Sequence, residues 1–341
     1  MNKIMNIGYI GNGKSANRYH IPFVLTRKDK MLVKMIYTLN RKEDIWPDVP
    51  GVEYTENLDE LLNNKDLNVI FINTPSRFHY EYAKKVIEAG KNCVVEKPFT
   101  IKVSQAEELF NLAKSKGVIV EAYQNRRFDS DFLTTKKVIE SGKLGDILEI
   151  ESHYDYFRPE VPESVDHYST DSSYVYNHAC HTFDQVIDLM GIPDRVTYDV
   201  RQILGSGRMN DYFDVDMFYK NTKVSVKSSY FRINSRPKFI VYGKKGMFIK
   251  YSEDRQEEDL KHFYMPGNKD FGVDRPKEYG TITYIDDNGY HEEKVVSEVG
   301  DYARYYDALY ETIINGKEPL VKPIETITLV KMLEEATKDL K

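Results

Sequence analysis

The first 123 residues alternate short apolar runs with amphipathic segments, and this rhythm constrains the fold more than any other feature. Residues 4–10, 32–37, 52–54, 69–73, 93–96 and 118–122 read as strands. Between them, 58–63, 80–89 and 106–116 carry apolar residues at helical spacing. Gly90 and Gly117 follow the last two, where a helix C-cap favours positive φ. Strands and helices alternating at this length give a parallel, doubly wound sheet. Cys93-Val94-Val95 shows no polar alternation, as expected of a strand covered on both faces. Pro98 cannot donate to a ladder, so that strand ends before it. Glu96 and Lys97 are thereby placed at the carboxyl edge of the sheet, where open α/β sheets bind ligands. Taken alone, a Glu and a Lys at a strand end are ordinary surface residues.

Gly11-Asn12-Gly13-Lys14-Ser15-Ala16 follows the first strand and leads into a segment of helical pattern reaching towards Leu25. This fits G-x-G-x-x-A. Gly11 and Gly13 allow a tight turn and close approach of a pyrophosphate, and Ala16 lets helix and strand pack closely. Lys14 and Ser15 complete the expected cofactor loop. The same stretch also fits G-x-x-x-x-G-K-S through Gly8, Gly13, Lys14 and Ser15, the phosphate loop of nucleotide triphosphatases. That reading would draw Tyr9 and Ile10 out of an apolar strand. It also finds Asn73 at the end of the 69–73 strand, where such enzymes place an Asp for magnesium.

The second strand runs out as Thr38-Leu39-Asn40-Arg41-Lys42, with no acid before Glu43. An NAD site usually offers Asp or Glu here to the ribose 2′-hydroxyl. The Thr38 hydroxyl, Asn40 and the Arg41 and Lys42 cations suit a 2′-phosphate instead, because a guanidinium donates bidentately. NADP is therefore the expected cofactor, with NAD as the alternative.

Beyond Asn125 the period changes. Residues 132–140 form an amphipathic helix ending at Ser141-Gly142. Leu148, Ile150, Tyr154 and Tyr156 alternate with Glu149, Glu151, His153 and Asp155, and Phe213, Val215, Met217 and Tyr219 repeat the pattern. With further candidates at 223–230, 239–242, 247–250 and 281–285, this reads as a mostly antiparallel sheet with one covered face. The charged, Gly- and Pro-containing stretch 253–278 reads as a surface excursion, and 302–314 and 326–340 as closing helices. The expected division is a dinucleotide-binding domain over 1–123 and an α+β domain over 124–341.

On a helix near 177–190, Asn177 and His181 are four apart and share a face. His178, His181 and Asp184 or Gln185 also have the spacing of metal ligands, but no second cluster completes such a site, and no metal is expected. Cys180 and His181 are neighbours on a helix and do not face each other, which argues against a thiol nucleophile.

Net charge of −6 gives no basic footprint for nucleic acid. No apolar run approaches the ~20 residues of a membrane span, and the N-terminus lacks a signal-peptide apolar region. The two cysteines, Cys93 and Cys180, lie in apolar or helical patterns and read as buried thiols. These features lead us to expect a soluble cytoplasmic protein.

The glycine loop, Asn73-Thr74-Pro75-Ser76-Arg77-Phe78-His79, Glu96-Lys97-Pro98 and Gln124-Asn125-Arg126-Arg127-Phe128 form an ordered series. Together they resemble the glucose–fructose oxidoreductase/inositol dehydrogenase (Gfo/Idh/MocA) family, and the likeness runs over nearly the whole chain. It is closest to the branch holding NADP-dependent scyllo-inositol dehydrogenases. The resemblance implies an NAD(P)-dependent dehydrogenase acting on a secondary alcohol of a cyclic polyol or sugar, with a homodimer formed through the outer face of an open second sheet. It implies that Thr74, Pro75 and His79 border the cofactor ribose. Glu96 and Lys97 would lie beside the nicotinamide ribose, with a cis bond before Pro98, and Asn125 at the nicotinamide end. Lys97 would assist catalysis and His181 would exchange the substrate hydroxyl proton. Asn177 stands where the family has Asp, which removes a charge from the site. Tyr156 and Arg158 would face the polyol. Arg126 and Arg127 would do likewise, or would tie the domains together through ion pairs. The Asn177 departure motivates one alternative, a cofactor-binding sensor without turnover. The phosphate-loop nucleotidase is the other.

Overall fold

In a computed structural model of the chain, residues 3–39, 45–160 and 167–340 are described, apart from the side chain of Ser172. Asn40, Arg41, Lys42 and Glu43 lie outside these residues.

The described residues contain two sheets. The first is six-stranded and all parallel, in the order β3-β2-β1-β4-β5-β6. Its strands are β1 (Met5–Ile10), β2 (Met31–Tyr37), β3 (Glu53–Thr55), β4 (Val69–Ile72), β5 (Asn92–Val95) and β6 (Val120–Ala122). The intervening helices are α1 (Ile21–Leu25), α2 (Leu58–Asn63), α3 (His79–Glu88) and α4 (Val103–Lys116). All four residues of β4 are buried, as are Cys93, Val94 and Val95 of β5, so the apolar runs reflect helices on both faces. The strand order reverses between β1 and β4, creating the crevice that such sheets use for ligands.

Gly8 sits inside β1, paired with β2 on one side and β4 on the other. A Cβ there would meet Leu67 Cδ1 at 2.8 Å and Leu61 Cδ1 at 3.1 Å. Close packing explains this glycine, and the phosphate-loop reading loses its first residue to the sheet.

The second sheet is eight-stranded, in the order β14-β13-β12-β11-β7-β10-β9-β8. Around it, in chain order, lie α5 (Ser130–Glu140), β7 (Ile147–His153), α6 (Cys180–Met190), β8 (Arg195–Arg201), β9 (Tyr212–Tyr219), β10 (Thr222–Ser229), β11 (Phe239–Gly243), β12 (Gly246–Lys250), α7 (Arg255–Lys261), β13 (Gly280–Asp286) and β14 (Gly289–Val295). Only β7 and β10 pair in parallel; the other pairings are antiparallel. Phe213, Val215 and Met217 on β9 are fully buried, as their alternation requires. On β7 Leu148 is exposed, while Ile150 and Ser152 on the same face are buried.

Two helices close the chain, α8 (Ala303–Asn315) and α9 (Pro323–Thr337). By contacts the chain forms two compact units. Leu260–Lys269 and Tyr302–Val330 group with residues 1–125, and the rest of the chain after Asn125 forms the second unit.

The 253–278 stretch is not a plain surface excursion. Asp254, Gln256, Asp259, Leu260 and Asp274 are buried. Ser130 N donates to Asp254 Oδ1 at 2.8 Å, Gly272 N to Asp259 Oδ2 at 3.0 Å, and Asp274 is held by the buried Lys250 ammonium.

Candidate active site

In the first unit the glycine loop leaves β1 at Ile10. Gly11 has φ +106°, and a Cβ there would stand 2.6 Å from the Asn73 carbonyl oxygen, so only glycine fits. Nothing lies within 4 Å of a Cβ built on Gly13, leaving open space above the loop. Asn17 braces the loop, donating to Asn12 Oδ1 at 2.8 Å and to Gly13 O at 3.1 Å. The chain then winds through a wide π-type turn, Ala16–His20, before α1. Such turns recur at functional sites.

That turn points His20 into the unit. Its ring is fully buried and lies 4.0 Å, centroid to centroid, from Tyr123. His20 Nε2 lies 2.9 Å from Glu96 Oε1, and Nδ1 lies 2.7 Å from the Tyr306 hydroxyl on α8. A carboxylate can only accept, so Nε2 carries the proton towards Glu96. In the neutral ring Nδ1 then accepts from Tyr306, whose oxygen faces the Tyr9 hydroxyl at 3.4 Å. Ser15 Oγ donates to the same Glu96 oxygen and accepts from Asn73 Nδ2 at 3.2 Å. Glu96 Oε2 accepts from the Lys97 backbone N–H at 2.9 Å.

A single carboxylate therefore ties the dinucleotide loop to the residue that follows it. Burial pushes the Glu96 pKa up, but His20, Lys97 and Ser15 outweigh burial and bring it to about 2. The carboxylate is a fixed charge at neutral pH.

The Lys97–Pro98 bond is cis, as expected. His79 does not offer its ring to a ligand. It is 1% exposed, and its nitrogens face the Pro98 and Thr74 carbonyl oxygens at 2.8 Å each. It braces the segments after β4 and β5, and burial lowers its pKa despite the two carbonyls. Two atoms beside it fit an incoming group. Asn73 Oδ1 and Thr74 Oγ1 are buried with no hydrogen-bond partner. Pro75 is exposed, Thr38 and Asn125 are buried, Lys97 is half-buried, and Lys14 is exposed. With the open space over Gly13, these atoms fit a dinucleotide.

In the second unit the helix carrying His181 also opens with a wide turn, Val175–Ala179, followed by α6. Asn177 Nδ2 donates to Ser173 O at 3.1 Å, so the amide replacing the family's Asp spends a donor on its own helix start. His181 is 7% exposed. Beside it on the helix, His178 Nδ1 lies 3.4 Å from the Tyr156 hydroxyl, and its ring packs against Tyr154, Tyr156 and Tyr174. Burial pushes the Tyr156 phenol well above its usual range. The exposed Arg158 lies over the Tyr156 ring at 4.3 Å and the Tyr230 ring at 5.7 Å.

Arg127 is engaged in ion pairs within the second unit. Its Nε and Nη2 donate to the two Asp184 oxygens at 2.8 Å each, and Nη1 donates to Asp188 at 3.1 Å. This buried bidentate pair anchors α6 and withdraws the guanidinium from a substrate. It also engages Asp184, one of the two alternatives for the third ligand in the metal reading. Among the described residues no group of three His, Cys, Asp or Glu side chains could hold a metal ion. Cys93 and Cys180 are buried thiols outside any disulfide. Among the described residues no helix is long and apolar enough to cross a membrane.

Sequence reasoning missed His20, Tyr9 and Tyr306.

The family model described as the oxidoreductase family, NAD-binding Rossmann fold, matches residues 5–124. That for the family's C-terminal alpha/beta domain matches residues 136–340. The chain is 47% identical over 333 residues to the uncharacterized oxidoreductase YhhX of Escherichia coli, covering 97% of this chain and 95% of that protein. It is 32% identical over 338 residues to IolW of Bacillus subtilis, a scyllo-inositol 2-dehydrogenase (NADP(+)), covering 99% and 94%. A crystal structure of an oxidoreductase from Bacillus cereus superposes with a TM-score of 0.92 at 46% identity, covering 98% of this chain and 96% of that one. A dinucleotide-binding parallel sheet joined to an open second sheet, matched by both models, makes this chain a member of the Gfo/Idh/MocA oxidoreductase family.

Proposed function

We propose that this oxidoreductase moves a hydride between NADP and a secondary alcohol of a cyclic polyol or sugar-like molecule. The observation that carries the reading is the Glu96 carboxylate, which holds Ser15 of the dinucleotide loop and the backbone of Lys97 at once. The cofactor, when bound, supplies the hydride acceptor. Gly11, Gly13 and Ser15 hold its pyrophosphate at the helix start, and Asn73 and Thr74 supply polar atoms to its ribose. Lys97 steadies the negative charge that develops on the substrate oxygen. His181 takes the hydroxyl proton in oxidation and returns it in reduction. Tyr156 and Arg158 present hydroxyl and guanidinium donors suited to a polyol. The NADP preference rests on Thr38, Asn40 and Arg41, and the resemblance to IolW, a scyllo-inositol 2-dehydrogenase (NADP(+)), supports both the cofactor and the cyclitol class.

The test is a panel of inositols and sugars assayed with NADP and NAD by nicotinamide absorbance. Turnover of a cyclic polyol with NADP is expected. Binding of NADP with no reduction of it across the panel favours the sensor reading, for which the self-bonded Asn177 amide is the one specific support.

A further inference from the structure

Three residues converge beside the dinucleotide loop that neither the loop nor the catalytic residues account for. Arg18 lies in the Ala16–His20 turn directly after the glycines. Trp46 follows β2, on the side of the sheet where the adenosine half of a dinucleotide lies in such folds. Phe263 comes from Leu260–Lys269, a segment whose chain neighbours on both sides belong to the second unit while it packs with the first. The Arg18 guanidinium lies 4.9 Å over the Phe263 ring, and the Trp46 and Phe263 rings are 6.2 Å apart at 39°.

The arrangement has features of a built clamp. Phe263 holds φ +58°, a left-handed conformation that aromatic residues avoid and that gathers at ligand clamps. Phe263 is nevertheless 58% exposed, with Arg18 over one face of its ring. Arg18 Nε is buried with no hydrogen-bond partner. A strained backbone that presents an open aromatic face beside a cation suits a flat, electron-rich base attached to phosphates. The interplanar tilt and short separation of the two rings leave no slot between them, so the base would stack on the outer face.

We propose that Trp46, Phe263 and Arg18 form the adenine subsite of the cofactor, with Phe263 delivered by the Leu260–Lys269 strap. The proposal rests on the dinucleotide reading and adds to it the residues that grip the base. The sequence contains one tryptophan, so Trp46 emission reports this subsite alone.

The experiment titrates the full chain with 5′-AMP, adenosine 2′,5′-bisphosphate and nicotinamide mononucleotide, following Trp46 emission and calorimetric heat in parallel. The adenosine fragments should change the emission with a midpoint equal to their calorimetric Kd, and nicotinamide mononucleotide should not. Phe263→Ala should weaken the adenosine fragments roughly tenfold, in line with the worth of base–aromatic stacking. Phe263→Gly removes the ring while relieving the left-handed backbone, so the loss should persist where folding is secure. Adenosine fragments that bind without altering Trp46 emission, or that bind both variants with wild-type affinity, overturn the subsite and leave the dinucleotide reading standing. Failure of NADP, NAD and every fragment to bind overturns both.

Discussion

His20 Nε2 and Glu96 Oε1 lie 2.9 Å apart across 76 residues of sequence, and the pair joins the turn after the dinucleotide loop to the end of β5. It orders a chain of hydroxyls, ring nitrogens and carboxylate in which each proton has one acceptor. The result is a mount for Ser15 and for the Lys97 backbone built from the chain's own groups. Preorganisation of this kind lets binding energy go to the reacting groups.

The Glu96 charge has a measurable pH signature. Its pKa falls from 4.5 in the unfolded chain to about 2 in the fold. Its stabilisation is therefore complete above the unfolded value and drains away as pH falls towards about 2. The shift corresponds to about 3 kcal/mol at neutral pH, to order of magnitude. Glu96→Gln should lower Tm at neutral pH, and the deficit against wild type should shrink on acidification from about pH 5 to about pH 3. Thermal melts across that window check it. A deficit that stays constant with pH would show that packing, and not charge, is what the substitution removed.

The two loop glycines should separate folding from binding. Gly11→Ala places a methyl against the Asn73 carbonyl in a left-handed backbone, so Tm and NADP affinity should both fall, Tm by a few kcal/mol equivalent. Gly13→Ala meets no protein atom within 4 Å. Its Tm should stay near wild type while NADP affinity drops by about tenfold or more, because only the pyrophosphate comes close enough to feel the methyl. Melts and calorimetric titration of the two variants decide the matter. Unchanged NADP affinity in Gly13→Ala would remove the pyrophosphate from this loop.

Much of this architecture was legible because it is local. The β4 and β5 runs, the Gly117 C-cap and the β9 alternation each declare themselves within a few residues. Strands β8 and β14 were not legible. Arg195–Arg201 and Gly289–Val295 are the two edges of the second sheet, only partly covered, and their polar residues hide the period. The Glu96 mount was half visible. The motif marked Glu96, but its partners His20 and Tyr306 lie 76 and, from each other, 286 residues away, and no sequence period records such a meeting. The buried acids of the 253–278 stretch misled for a related reason. Composition reports charge, whereas the backbone donors that make burial tolerable come from residues such as Ser130, far away in sequence.

Asp131 is a buried acid that works the other way. Both its oxygens are buried with no hydrogen-bond partner, near Lys238, Lys250, Asp129 and Glu253. Burial pushes its pKa up to about 7. The fold disfavours its charged form, so a stability penalty builds as pH rises above the unfolded value of 3.8 and levels off above about 7. Asp131→Asn should therefore match wild type near pH 4 and gain Tm near pH 8. Equal effects at the two pH values would mean that the fold leaves the Asp131 pKa unshifted, and a loss confined to the higher one that Asp131 is held charged by its lysine neighbours.

The catalytic assignment stands on Lys97 and His181, which no protein geometry can substitute for if the proposed chemistry holds. Lys97→Ala leaves the glycine loop and its Glu96–Ser15 anchor in place, because Glu96 accepts from the backbone N–H of residue 97, which the substitution keeps. NADP affinity should stay within a few-fold of wild type while hydride transfer falls, since positioned proton transfer typically contributes ~10²–10⁴-fold. His181→Ala should fall comparably. The double variant should lose far less than the product, because groups acting on one proton and one developing charge work as a unit. Asn177→Asp probes the departure from the family pattern. The carboxylate cannot donate to Ser173 O as the amide does, so it loses that self-bond and restores a negative charge on the face shared with His181. Single-turnover hydride transfer at saturating NADP measures all four without interference from product release. If the amide is a neutral stand-in for the acid, Asn177→Asp raises the rate on cyclic polyols. If the amide is matched to the substrate, the same change lowers the rate on that substrate while leaving NADP affinity alone. Wild-type rates in both Lys97→Ala and His181→Ala would remove these two residues from the chemistry.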